Sequence, residues 1–104
     1  MKKTEIKKRD REFSAKVRAR GECEWGRVHK GRLECAHIFS RRHRAMRWDE
    51  DNALCLCTRH HFMAHHNPLL FSEFVKRYIG IEKFNALLLK AKTVIGKYES
   101  EERT

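Results

Sequence analysis

The sequence predicts a small α+β fold, in which a hairpin and a short helix form the core, preceded by one helix and followed by two more. Three observations carry this expectation. Apolar residues recur at helical spacing near both ends of the chain and alternate in its middle. Glycine and Asn-Pro punctuation falls between those stretches. The 104 residues make one domain with a limited core, a size at which a bound metal often supports the fold.

Residues 1–20 form a basic arm, with Lys2, Lys3, Lys7, Lys8, Arg9, Arg11, Lys16, Arg18 and Arg20 against only Glu5, Asp10 and Glu12. Its later half reads as an amphipathic helix with Phe13, Val17 and Ala19 on one stripe and Gly21 as its stop. Such a helix either packs one face and solvates the rest, or contacts phosphates. Residues 21–68 form the core. Within it, residues 27–39 read as two extended segments about the Lys30-Gly31 turn, with Leu33, Cys35, His37 and Phe39 on one face by alternation.

Residues 40–51 are a polar loop carrying Arg41, Arg42, Arg44 and Arg47, and its last residues join Asn52 in a turn-forming Asp49-Glu50-Asp51-Asn52 cluster. Residues 53–57 suit a buried strand. Thr58 is the expected cap of a helix through His61 and His65 that Asn67-Pro68 stops. A helical pair fills residues 69–97: Phe71, Phe74, Val75 and Tyr78 share one face, between a Ser72 cap and Gly80, and Phe84, Leu87, Leu88 and Ala91 share the next. Both are read as packing elements, and residues 98–104 as a frayed polar tail.

Twenty-four Lys plus Arg against fourteen Asp plus Glu give a net charge of +10, which favours a polyanionic partner, with DNA first. No apolar run approaches the roughly 18 residues of a spanning helix and no signal-peptide core opens the chain. The expectation is therefore an intracellular, cytoplasmic protein with no membrane partner and no small-molecule substrate. In a reducing compartment Cys23, Cys35, Cys55 and Cys57 read as thiols or metal ligands, with Cys55 assigned to the core. Trp25 and Trp48 are read as core residues rather than base-stacking platforms.

Phosphodiester hydrolysis needs an activated water, a divalent cation to stabilise charge, and groups that align them. His37, at a strand end, suits the general base, since an unperturbed imidazole titrates near pH 6.5. His61 and His65, four apart on a helix, share a face and can reach one metal. Arg41, Arg42, Arg44 and Arg47 suit backbone clamping of DNA.

The stretch CEWGRVHKGRLECAHIFSRRHRAMRWDEDNALCLCTRHHFMAHHNP, residues 23–68, resembles the HNH endonucleases with the ββα-metal fold, especially short phage-encoded members. More weakly, Asp10-Arg11-Glu12-Phe13-Ser14 and the run from Asn67 to Gly80 resemble flanks of the NinG/Rap recombination nucleases. The resemblance implies that His37 is the base and Asn52 the asparagine that holds the loop. It further implies that His61 binds the catalytic metal (Mg²⁺, Mn²⁺, Ni²⁺ or Zn²⁺), with His65 as second ligand or phosphate contact and His66 as its substitute. Ala36 departs from the family, which often carries a further ligand there. Many relatives also hold a structural zinc between two CxxC pairs. Here Gly26 replaces the second cysteine, leaving Cys23, Cys57 and His60, with Cys35 or His29 as the fourth ligand. Any homodimer, or a partner in phage recombination or packaging, is left open. The alternative to an endonuclease is a non-catalytic, zinc-stabilised DNA-binding module.

Overall fold

The structure, a computed structural model, describes residues 1–26 and 31–103, with side chains through Lys92. In order these are α1 (Lys3–Arg18), β1 (Leu33–His37), short 3₁₀ turns at Arg44–Met46 and Glu50–Asn52, β2 (Ala53–Cys57), α2 (Thr58–His66), α3 (Pro68–Ile79) and α4 (Ile81–Arg103). The protein is thus α+β, with, among the described residues, four α-helices about a two-stranded antiparallel sheet.

Helix α1 takes in nearly the whole basic arm rather than its later half. Glu5 in its first turn and Lys16 and Arg18 in its last complement the helix dipole. Phe13 and Val17, four residues apart, are its buried face, while Ala19 is exposed. Burying a side chain such as Val17 contributes about 1.5–3 kcal/mol, so this face packs, and the Lys and Arg side chains of the helix lie on the exposed one. Arg20, just beyond the helix, donates to Glu24 Oε2 and the Ala53 carbonyl at 2.9 Å each and to the Glu50 carbonyl at 3.0 Å. It ties the arm to the sheet.

The register pairs Leu33 with Cys57, Cys35 with Cys55 and His37 with Ala53. Because directly opposed residues share a face, Cys35, Cys55 and Ala53 turn toward α1, where they pack with Phe13, Val17 and Trp48. Ala36, Leu54 and Leu56 turn the other way, onto Ala64, Phe71, Val75 and Phe84 of the other three helices. A lone pair of strands is marginal in water. Here helices cover both faces, which is why β2 is buried along its length.

Several expectations change. Among the described residues β1 pairs with β2, across residues 38–52, while the first segment of the hairpin expected about Lys30-Gly31, residues 27–30, lies outside them. Phe39 lies beyond the strand end and leaves the Cys35 face to pack against Phe84, with tilted rings whose centroids are 5.5 Å apart. The cap of α2 is Cys57, whose Sγ accepts from the His60 amide, and Thr58 is the helix's first residue. The cap of α3 is Asn67, which accepts from the Leu70 amide, with Pro68 in the first turn, so Ser72 falls inside the helix. Gly80 ends α3 at a φ of 91°, a conformation costly for any residue with a Cβ. The backbone of α4 is helical through Arg103, across most of the segment expected to fray.

Candidate functional site

A cleft of ≈ 720 Å³ is lined by residues from α1 (Asp10, Phe13), β1 (Ala36, His37) and α2 (His61, His65). Three of the four residues predicted to carry the chemistry, His37, His61 and His65, therefore meet at one opening, although they come from two elements more than twenty residues apart. Ser40 and Arg41 line it as well.

His37 is half-buried at the end of β1, stacked on Phe13 with ring centroids 5.7 Å apart. Its Nε2 lies 2.9 Å from the Arg47 carbonyl oxygen. A carbonyl only accepts, so Nε2 carries the proton and, in the neutral ring, Nδ1 keeps its lone pair. Burial lowers the pKa of His37 from its ordinary 6.5, helped by Arg41 and Arg47 and opposed by the hydrogen bond to the Arg47 carbonyl and by Asp10. The ring is accordingly neutral at pH 7, as a proton acceptor must be.

Asn52 is fully buried and does not face the cleft. Its Oδ1 accepts from the Phe39 amide at 2.9 Å, and its Nδ2 donates to the carbonyls of Phe39 at 2.9 Å and Met46 at 3.1 Å. The Ile38 amide donates to the Asn52 carbonyl, also at 2.9 Å. One amide side chain thus ties down three backbone groups at the two ends of the arginine-rich loop, supplying the partners of the Phe39 amide and carbonyl and a second donor to the Met46 carbonyl, which also accepts from the Asp49 amide.

On α2, His61 Nδ1 lies 2.8 Å from Glu34 Oε1. The hydrogen bond from His61 pulls the Glu34 carboxyl below its ordinary value, against the opposing effect of burial. The ionised carboxylate therefore accepts, His61 carries its proton on Nδ1, and Nε2 is left as the acceptor nitrogen. His65 Nε2 approaches that atom at 3.2 Å. Two nitrogens each ~2.0–2.1 Å from one cation stand roughly 3 Å apart, so the pair fits two ligands of a single ion. His66 instead packs its ring, tilted, against exposed Phe62, with centroids 3.9 Å apart.

A second group lies apart from the cleft. Cys23 Sγ and Cys57 Sγ are each 3.2 Å from His60 Nδ1, and the three ligand atoms lie within 4.8 Å of one another, close enough to hold a metal ion. Zinc at ~2.3 Å from sulfur and ~2.1 Å from nitrogen asks for ligand spacings of roughly 3.6 Å, and two thiols with an imidazole are a suitable donor set. Burial and the charge of Arg59 lower the pKa of His60, keeping it in the neutral, ligating form. Gly26, in place of a second CxxC cysteine, lets the chain run flat against this ring, since a Cβ there would stand 2.7 Å from His60 Cε1.

Two expected site residues go elsewhere. Cys35 packs, half-buried, on the α1 side of the sheet, outside the Cys23, Cys57 and His60 group, and burial pushes its thiol up to about 11. His29 lies outside the described residues. Arg47 is committed internally, its Nε and Nη2 donating to Asp10 at 2.8 and 2.6 Å, whereas Arg41, Arg42 and Arg44 remain exposed. Trp25 packs among His60, Phe71 and Phe74, and Trp48 donates from Nε1 to Asp10 at 3.0 Å.

Two site residues went unread in the sequence. Glu34 had a signal: alternation that turns His37 one way turns Glu34 the other, toward the face that α2 covers. Asp10 had none, because its partners lie 37 and 38 residues away.

Set beside protein-family models, curated proteins and solved structures, the chain matches none. What fold and site define is a small α+β protein bearing a Cys-Cys-His group able to hold a metal. Among the described residues no helix is long and apolar enough to cross a membrane.

Proposed function

We propose that this protein is a divalent-metal-dependent DNA endonuclease of the HNH kind. The observation that carries the reading is the convergence of His37 with the His61–His65 pair on one cleft. His37, neutral and held by the Arg47 carbonyl, accepts the proton of the attacking water. His61 and His65 hold the cation, with Glu34 orienting His61. A bound cation supplies Lewis-acid stabilisation of charge on the phosphate and the leaving oxygen. Arg41, Arg42 and Arg44 clamp the DNA backbone, and the +10 charge speeds encounter. Zinc at Cys23, Cys57 and His60 secures the start of α2.

The test is incubation of supercoiled plasmid with Mg²⁺, Mn²⁺ or Ni²⁺, alongside His37→Ala. Wild type is expected to nick or cut, and the variant to lose roughly 10²–10⁴-fold of the rate, the usual contribution of a general base. Equal cutting by both, or none with any metal, ends the catalytic proposal. The rate is also expected to rise with pH through a midpoint below 6.5 and level off above it, because His37 must lose its proton to act and burial lowers its pKa. A midpoint above 6.5 would remove His37 from that role. Glu34→Gln keeps the shape but not the charge, and is expected to weaken Mn²⁺ binding by about 10–100-fold, measured by calorimetry. Unchanged affinity would remove Glu34 from the site.

One observation favours the second reading, a non-catalytic zinc-stabilised DNA-binding module. Ala36, where relatives often carry a ligand, is buried and apolar, leaving the His61–His65 pair without a third donor from that position. Salt-dependent DNA binding with zinc bound and no cleavage in any metal would select this module.

A further inference from the structure

The geometry points to Asp10, on α1, as a positioning residue for His37: its carboxylate anchors Arg47 and Trp48, and the Arg47 carbonyl in turn holds His37 in one ring tautomer. This inference rests on His37 being the base of the proposed reaction.

Three donors converge on the one carboxylate, Arg47 Nε at 2.8 Å, Arg47 Nη2 at 2.6 Å and Trp48 Nε1 at 3.0 Å. The Asp10 and Arg47 side chains are only 24% and 21% exposed, so a two-pronged, charge-assisted pair is largely shielded from water. Arg47 and Trp48 are consecutive. Anchoring both side chains at one point restrains the turn that aims the Arg47 carbonyl, and that oxygen lies 2.9 Å from His37 Nε2. Phe13, three residues after Asp10 on the same helix face, stacks on the His37 ring. Helix α1 therefore holds the imidazole twice, by its face through Phe13 and by its Nε2–H through Asp10 and Arg47.

Docking alone does not account for this arrangement. Phe13 and Val17 already bury the helix against the sheet, and neither constrains the direction of a loop carbonyl. If that carbonyl turned away, the proton could sit on either ring nitrogen and Nδ1 would be the acceptor only part of the time. The charged groups about His37 are Asp10 from α1 and Arg41 and Arg47 from the loop, with His61 and His65 of α2 lining the same cleft.

The test uses the full chain, ¹⁵N-labelled, with long-range proton–nitrogen spectra that report the tautomer of each imidazole. Wild-type His37 is expected in the Nε2–H form alone, and in Asp10→Asn as a mixture of the two tautomers. In plasmid cleavage, Asp10→Asn is expected to lower kcat by about 10–100-fold and to move KM for DNA by less than about twofold, because Asp10 touches no phosphate in the proposal. Arg47→Lys keeps the charge and loses the second hydrogen bond, so it reports from the other side of the pair and is expected to shift the tautomer the same way. A merely structural Asp10 would lower the melting temperature and leave the tautomer in place. A folded Asp10→Asn with His37 still wholly Nε2–H overturns the inference, whatever the rate, and Arg47→Lys decides by the same criterion should Asp10→Asn fail to fold. Absence of cleavage by wild type would sink the nuclease reading alone, since the tautomer is read without DNA.

Discussion

Asn52→Ala is expected to cost about 2–5 kcal/mol, because it leaves the part-buried Phe39 amide and carbonyl without partners and takes from the Met46 carbonyl one of its two donors, the other being the Asp49 amide, and each unsatisfied group costs ~1–3 kcal/mol. A domain this size holds roughly 5–15 kcal/mol in all, so the melting temperature should fall by on the order of 15 °C or more. Thermal unfolding followed by circular dichroism checks it. A fall below about 5 °C would show that the loop is held by something other than Asn52. Asn52→Asp sharpens the test at nearly constant volume. It keeps the acceptor for the Phe39 amide but turns an oxygen toward the Phe39 and Met46 carbonyls, so it should be at least as damaging as alanine near pH 7. The consequence for the site is indirect. Met46 immediately precedes Arg47, whose carbonyl holds His37, so the His37 ring should lose its support in the same variant.

Removing the metal is the second large effect. Purified protein is expected to carry about one equivalent of zinc, and Cys57→Ala less than about a tenth, by elemental analysis after dialysis. Structural zinc binds zinc-finger peptides with about 10–16 kcal/mol. Here Cys57 also lies in a packed core, so only part of that energy appears as stability, and a strong chelator should lower the wild-type melting temperature by on the order of 10 °C. The chelator arm matters because Cys57 also caps α2, and losing a cap alone costs ~1 kcal/mol. A wild type without zinc, or one indifferent to chelation, would reduce Cys23, Cys57 and His60 to a hydrogen-bonded core cluster.

Local chemistry was legible where near neighbours decide it. The Phe13–Val17 stripe, the buried run from Ala53 to Cys57, the stop at Asn67-Pro68 and the apolar faces of α3 and α4 all follow from spacing and turn residues, and they appear where expected, except that Tyr78 of the α3 face is exposed. Caps were less legible, because several neighbouring residues can each supply an acceptor. Thr58 and Ser72 are ordinary cap residues, yet Cys57 and Asn67 hold the positions, set by where β2 ends and by Pro68 favouring the first turn. Cys35 shows the same limit. Alternation put it on the face of His37, but only packing reveals that α1 covers that face, while Cys23, Cys57 and His60 gather at the end of the sheet.

The chain by itself determined the α+β class, the basic surface and the identity of the chemically capable residues, because periodicity, charge and residue type are local properties. Only the tertiary structure decided which of them meet. It brought His37 into one cleft with His61 and His65, committed Arg47 to Asp10 rather than to solvent, and set Glu34 behind His61. Each of these depends on contacts between residues ten to nearly forty positions apart, and their distances follow from how helices seat on a sheet rather than from any pattern along the chain.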